Sequence, residues 1–329
     1  MIITGKYPKL RMRRSRKEDW SRRLIRENTL SGSDFVLPVF LTDGKNKKIG
    51  IKSMNGVYRY SIDNISNIID KALKNKVPMI ALFPHTNTKL KNANGSEAFN
   101  ENNLVSKAIV AIKNKYKNHI GIMCDVALDP YTTHGHDGIL KNNYVLNDKT
   151  IEILVKQSLL QAEMGCDVIA PSDMMDGRIG KIRKVLDKNG HQDIQLLSYA
   201  VKYASNFYGP FRDAVGSKNS LKGDKKSYQM NFANSNESLR EVALDIKEGA
   251  DMVMVKPGMP YLDIIQKVNE KFKIPVLAYQ VSGEYSLIKN GIKNRLISDK
   301  SIIESLMCLK RAGASAIVTY FALEITNKL

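Results

Sequence analysis

Two lysines, Lys202 and Lys256, each close a short apolar stretch, 194–200 before the first and Asp251-Met252-Val253-Met254-Val255 before the second. Such stretches read as buried strands, so both amines emerge from packed structure, where lost hydration disfavours the ammonium form. A second cation close by lowers the proton affinity of each still further. An ordinary lysine, with a pKa of about 10.4, has only a few neutral amines in ten thousand at pH 7. Bringing that value to about 7 recovers about a thousandfold in nucleophile, equivalent to roughly 4 to 5 kcal/mol. The chemistry that needs a neutral amine of this kind is Schiff-base formation with a ketone or aldehyde, which then activates the neighbouring carbons. The competing reading is that one lysine anchors a phosphate or sits solvated at a rim. Polar residues gather at the ends of other apolar stretches: Asp125 and Asp129, Ser172 and Asp173, Ser282 and Glu284, and Tyr320 within the last one.

The elements that must position these groups form a repeating pattern. Apolar runs at 35–40, 79–83, 120–128, 167–172, 194–200, 251–256, 275–281 and 316–321 predict eight strands. Each is apolar nearly throughout, as a strand covered on both faces should be. Between them lie segments with helical spacing, such as Ile62, Ile65, Ile69, Ala72 and Leu73, and further helices are predicted at 151–163, 238–248, 261–272 and 300–311. Glycines at 165, 249 and 313 mark helix ends that lead directly into strands. The fold class is therefore α/β, a (β/α)8 TIM barrel, with an extended N-terminal arm over residues 1–34 and a catalytic barrel over 35–329. An open doubly wound sheet is the competitor, but GxGxxG, GxxxxGK[ST], GxSxG and HExxH are all missing. In a barrel, the C-terminal ends of the strands carry the active site.

Composition narrows the function classes. With 43% apolar and 26% charged residues over 329 positions, the chain is ordinary globular protein. Its formal charge of +18 raises the question of nucleic acid, yet +8 of it falls in residues 1–26 and the rest is spread thinly, with few aromatic neighbours for stacking on bases. A basic arm of this kind is expected to pack on a partner subunit or to be solvated. The three cysteines, Cys124, Cys166 and Cys308, are far apart and form no CxxC, which suits a reducing compartment. No long apolar segment or secretory signal is visible, so the expected location is cytoplasmic, with no membrane and no nucleic-acid partner.

The segment Tyr199-Ala200-Val201-Lys202-Tyr203-Ala204-Ser205-Asn206-Phe207-Tyr208-Gly209-Pro210-Phe211-Arg212, with Gly223-Asp224-Lys225-Lys226-Ser227-Tyr228-Gln229, resembles the 5-aminolevulinate dehydratase (porphobilinogen synthase) family. So do Met254-Val255-Lys256-Pro257-Gly258-Met259-Pro260-Tyr261, Ala170-Pro171-Ser172 with Met175-Asp176-Gly177, and Tyr279-Gln280-Val281-Ser282-Gly283-Glu284-Tyr285. The resemblance covers essentially the whole chain. It implies a lyase that condenses two 5-aminolevulinate molecules into porphobilinogen with loss of two waters, an early step of haem and other tetrapyrrole biosynthesis. It also implies a homo-octamer whose arms embrace neighbouring subunits. By motif match, Lys202 would form the imine at the P site and Lys256 the one at the A site. Arg212, Lys225 and Gln229 fall in an active-site lid around 209–229 and would clamp the A-site carboxylate. The family usually has arginine where Lys225 stands, so a point charge replaces a bidentate fork. Ser282 and Tyr320 match positions that bind the P-site carboxylate, while Asp125 and Ser172 line the P-site amine pocket, Asp125 being a candidate proton carrier.

The same resemblance bears on metals. Zinc-dependent members have cysteines where this chain has Ala127, Asp129 and Asp137, so no catalytic Zn2+ is expected. Glu241 matches a carboxylate that holds a stimulatory, allosteric Mg2+ near a subunit interface. His134 and His136 are open between metal ligation and hydrogen bonding within their loop. Two rivals remain at this stage: a single-lysine Schiff-base barrel enzyme acting on a phosphorylated sugar, and a non-catalytic nucleic-acid binder.

Overall fold

Strand β1 (Phe35–Thr42) is buried at every position, because it is covered by neighbours on both faces. This holds in the computed structural model, which describes residues 5–216 and 221–328. Residues 217–220 of the expected lid, and 1–4 and 329, lie outside the described residues. Beside β1, Val36 to Thr42 pair in parallel with Met79 to His85 of β2 (Met79–His85). The order continues through β3 (Gly121–Val126), β4 (Val168–Pro171), β5 (Gln195–Lys202), β6 (Met252–Lys256), β7 (Val276–Tyr279) and β8 (Ala316–Val318), every neighbouring pair parallel. Strand β8 then pairs with β1, Phe35 opposite Ile317 and Val36 opposite Val318, which closes the barrel.

The crossovers are helical. They are α1 (Ser66–Lys74), α2 (Leu104–Tyr116), α3 (Asn147–Glu163), α4 (Arg178–Lys188), α5 (Asn236–Lys247), α6 (Leu262–Phe272), and α7 (Ser282–Lys293) with α8 (Ser301–Arg311) before the last strand. Each lays an apolar stripe on the sheet; Ile264, Ile265 and Val268 of α6 are examples. Helices α2, α4 and α7 were not singled out by periodicity. Helix α4 is lysine-rich, and α7 contains Gly283 and Gly291, which blurs the helical signal.

Four positions differ from the sequence expectation. Strand β8 stops at Val318, so Tyr320 lies in the following turn and not inside the strand. Asp129 lies beyond the end of β3, and Ser282 and Glu284 belong to the first turn of α7, not to strand seven. In each case the apolar run outlasts the ladder, since burial sets hydropathy whereas hydrogen bonding sets the strand end. Outside the barrel, an antiparallel hairpin of Lys48–Gly50 and Tyr58–Tyr60 joins β1 through Phe40 opposite Arg59. The short helices Arg14–Lys17 and Asp19–Leu24 bury none of their residues, and Trp20 and Leu24 are 62% and 76% exposed. Among the described residues, no helix is long and apolar enough to cross a membrane.

Candidate active site

Lys202 and Lys256 are the last residues of β5 and β6, and their Cα atoms are direct register partners. Both residues are buried, each 6% exposed. Lys256 Nζ sits among four aromatic rings, 4.5 Å from the centroid of Tyr279, 5.1 Å from Tyr199 and Phe211, and 5.6 Å from Tyr208. Burial, reinforced by the Lys202 cation, pushes its pKa down to about 7. Lys202 Nζ donates to the Ser172 carbonyl and lies 3.6 Å from Asp137 Oδ2. The two amines therefore have different surroundings, one aromatic and dry, the other polar and acid-facing.

Carboxylates from the end of β3 and the loop after it face these lysines. Burial raises the Asp125 carboxyl to about 6, although Lys256 and Lys202 oppose the rise and Ser172 hydrogen-bonds it. Its Oδ1 is buried without a hydrogen-bond partner. Asp129 is also raised by burial. Asp137 behaves oppositely: it is buried too, but Lys202 and Lys225 hold it well below the usual carboxylate range. Lys225 Nζ lies 2.9 Å from Asp137 Oδ1 and 3.7 Å from Asp129 Oδ2. Burial alone would lower the Lys225 pKa; these two acids raise it instead. Gln229 Nε2 donates to Asp137 Oδ2 at 3.4 Å.

The lid segment covers this mouth. Arg212 lies on the short helix Gly209–Ala214 and lines one narrow pocket with Asp129, Lys202, Lys225, Gln229 and Lys256. The hairpin outside the barrel holds that helix: Arg59 donates to the carbonyls of Ala214 and Asp213 at 2.6 and 2.5 Å. From the first turn of α7, Ser282 Oγ accepts the Phe211 N–H at 2.8 Å, leaving its own proton free to donate. Tyr320 and Tyr279 hydroxyls are 3.1 Å apart on the aromatic floor, and burial keeps the Tyr320 phenol protonated. Thus Lys202, Lys256, Asp125, Ser172, Arg212, Lys225, Gln229, Ser282 and Tyr320 are gathered at one end of the barrel. The aromatic cage of Tyr199, Tyr208, Phe211 and Tyr279, and the pairing of Lys225 with Asp129 and Asp137, were not read from the sequence. The only available signal was the aromatic density of the stretch 199–211.

Glu241 lies apart from the lysines. It borders a cavity of about 230 Å3 with Asp176 and Glu237 on one side and lid residues 226–229 on another. Burial raises its carboxyl, with further contributions from Asp245, Asp176 and Glu237 against the pull of Arg178. Carboxylates facing an open cavity are the donor set for a hydrated Mg2+, which keeps several waters and uses few protein ligands. The position of a three-thiolate zinc site is different: Ala127 offers no ligand, and both Asp129 and Asp137 face the Lys225 ammonium. Those residues do not fit zinc. Among the described residues, no group of three or more His, Cys, Asp or Glu side chains is arranged around a metal position. His134 and His136 use their ring nitrogens within the loops, His134 Nε2 donating to Ala93 O at 3.1 Å and His136 Nε2 to Lys222 O at 2.7 Å. Cys124 is buried in the core.

Known proteins are similar to this chain along nearly its full length. The sequence profile described as Delta-aminolevulinic acid dehydratase matches residues 9–328. The Delta-aminolevulinic acid dehydratase of Bradyrhizobium diazoefficiens is 54% identical over 321 residues, covering 97% of this chain and 91% of that protein. That of Rhodobacter capsulatus is 48% identical, covering 98% of this chain and 97% of that protein. A crystal structure of delta-aminolevulinic acid dehydratase (porphobilinogen synthase) from Toxoplasma gondii ME49, in complex with the reaction product porphobilinogen, superposes with a TM-score of 0.95 at 41% identity, covering 97% of this chain and 91% of that one. A barrel with two paired lysines at its mouth, and relatives this similar along nearly their full length, lead to one assignment: the chain belongs to the delta-aminolevulinic acid dehydratase family.

Proposed function

We infer that this chain is a hydro-lyase that condenses two molecules of 5-aminolevulinate into porphobilinogen and releases two waters, a step of tetrapyrrole biosynthesis. The observation that carries the reading is the register pairing of Lys202 with Lys256 in a buried pocket. Each amine captures one ketone as an imine, so a bimolecular condensation becomes intramolecular, a gain worth several kcal/mol. Lys256, with a pKa of about 7, is about half neutral at pH 7 and serves as the A-site nucleophile. Lys202 forms the P-site imine. Deprotonation beside the A-site imine gives an enamine for the carbon–carbon bond, and the free amino group of the other substrate closes the ring.

The surrounding residues have assigned roles in this scheme. Arg212, Lys225 and Gln229 bind the A-site carboxylate, which must displace Asp137 and Asp129 from Lys225 to do so. Ser282 and Tyr320 donate to the P-site carboxylate. Ser172 and Asp125 face the P-site amine, and Asp125, with its carboxyl at about 6, is suited to carry protons near neutrality. Mg2+ at Glu241, with Asp176 and Glu237 nearby, would act as an allosteric activator, since the same cavity touches lid residues 226–229. Catalysis uses no zinc. The exposed apolar residues of the arm, Trp20, Leu24 and Ile25, support packing against further copies in a homo-octamer. Three free cysteines support a cytoplasmic setting.

A colorimetric porphobilinogen assay on the wild type and on Lys202→Ala tests the activity. Borohydride reduction with labelled 5-aminolevulinate tests the imines. No porphobilinogen from the wild type, or an unmodified pair of lysines after reduction under turnover, would overturn the reading.

A further inference from the structure

Glu284 is a carboxylate in the first turn of α7, 3% exposed, and every hydrogen bond it accepts comes from a backbone N–H. One is local: Val281 N–H, at the start of its own helix, donates at 2.6 Å. The other two cross to the neighbouring loop, Met259 N–H at 2.6 Å and Gly258 N–H at 3.4 Å. That loop begins at Lys256. A buried carboxylate without a cation is costly for a fold, and burial raises this carboxyl to about 7 against the pull of its three donors. A helix cap alone needs only the Val281 bond, which a surface glutamate supplies equally well.

The neighbours of Glu284 on the chain reach the lid. Ser282 Oγ accepts the Phe211 N–H, one residue before Arg212. At Gly283 an added Cβ would collide with the backbone oxygen of Phe207, so the helix start is pressed onto the turn Asn206–Tyr208 that leads into the lid. On the lysine side, the Lys256 carbonyl is fixed by Tyr203 N–H at 3.0 Å and by Tyr208 Oη at 3.2 Å. The start of α7 thus touches the segment on either side of the cage around Lys256.

We propose that Glu284 is a positioning residue for the reaction: by binding the loop after Lys256 and the start of α7 together, it fixes the Lys256 amine relative to the lid segment that carries Arg212. The inference rests on the imine role assigned to Lys256 above. Glu284 does not line the pocket that holds the two amines, so it acts through the loop it binds.

The test compares Glu284→Gln and Glu284→Asp with the wild type, using reduction by borohydride under saturating labelled 5-aminolevulinate and counting label on the Lys202 and Lys256 peptides. Glutamine keeps the length but has a single acceptor oxygen, and aspartate keeps the charge but is one methylene shorter. Wild type should carry label on both lysines. Each variant should fold with a cooperative melt, lose about tenfold to a hundredfold in kcat with KM changed less than about threefold, and show label depleted about tenfold at Lys256 relative to Lys202. Equal depletion at both lysines, unchanged labelling and kcat, or loss of the fold in both variants would each overturn the positioning role and leave Glu284 purely structural. Wild-type label confined to Lys202 would overturn it too, because Lys256 would then need no positioning for an imine. Absence of label from both wild-type lysines would instead defeat the functional reading itself.

Discussion

Lys202 and Lys256 stand opposite each other on adjacent parallel strands, so their amines rise from the same rung of the barrel. Two like charges at that spacing disfavour each other, and the burden falls on Lys256, which aromatic rings surround, whereas Lys202 has Asp137 at 3.6 Å. The pair is therefore asymmetric before any substrate arrives.

That asymmetry predicts a pH profile. Below about 7 the Lys256 amine is protonated, and each further unit of acidification removes about tenfold in free amine. The value of kcat/KM should rise with pH up to about 7 and then level, as measured by initial rates across buffers of constant ionic strength. A profile flat from pH 5 to pH 8 would contradict the assignment.

Replacing Lys256 by methionine separates function from stability. The variant should lose more than about a thousandfold in kcat, since the nucleophile is gone. It should also be more stable near neutrality. The native pKa of about 7 lies below the unfolded value, so between these values the unfolded chain binds more protons and native stability rises with pH. Removing the buried amine relieves that burden, by about 1–4 kcal/mol at pH 7, read as a higher melting temperature.

Lys225→Met should weaken substrate capture more than turnover. The ammonium it removes is 11% exposed and faces Asp137 and Asp129, so the variant leaves Asp129 without that cation and Asp137 with Lys202 alone. KM for 5-aminolevulinate should rise by about tenfold or more, with kcat less affected. The melting temperature should fall, because one partner of a buried pair has been deleted. Steady-state kinetics and a thermal melt check both parts.

Metal dependence gives a fourth outcome. After chelation, Mg2+ should restore activity and Zn2+ should not, and Glu241→Ala should abolish the response to Mg2+. Metal analysis of purified, active protein checks the same claim, and one tightly held zinc per active subunit would refute it.

Deleting residues 1–34 should leave the barrel folded and yield a smaller assembly by size-exclusion chromatography with light scattering. The arm buries none of its own helical residues, and Trp20 and Leu24 are more than half exposed. An unchanged assembly would remove the arm from the interface.

The sequence by itself determined the eight runs that became strands, because continuous burial on two faces leaves an unbroken apolar stretch wherever it occurs. It also marked Lys202 and Lys256, since a strand-end lysine after such a stretch is local information. Motif matches named Arg212, Lys225 and Gln229. What the sequence left open depends on residues far apart along the chain. Asp137 faces Lys225 across 88 positions, and Tyr279 reaches the amine of Lys256 from the next strand. Glu284 joins Met259 across 25 positions. Closing the barrel decided these contacts: parallel register fixes which strand ends share a rung, and only then does burial set which amine is neutral and which carboxylate is paired.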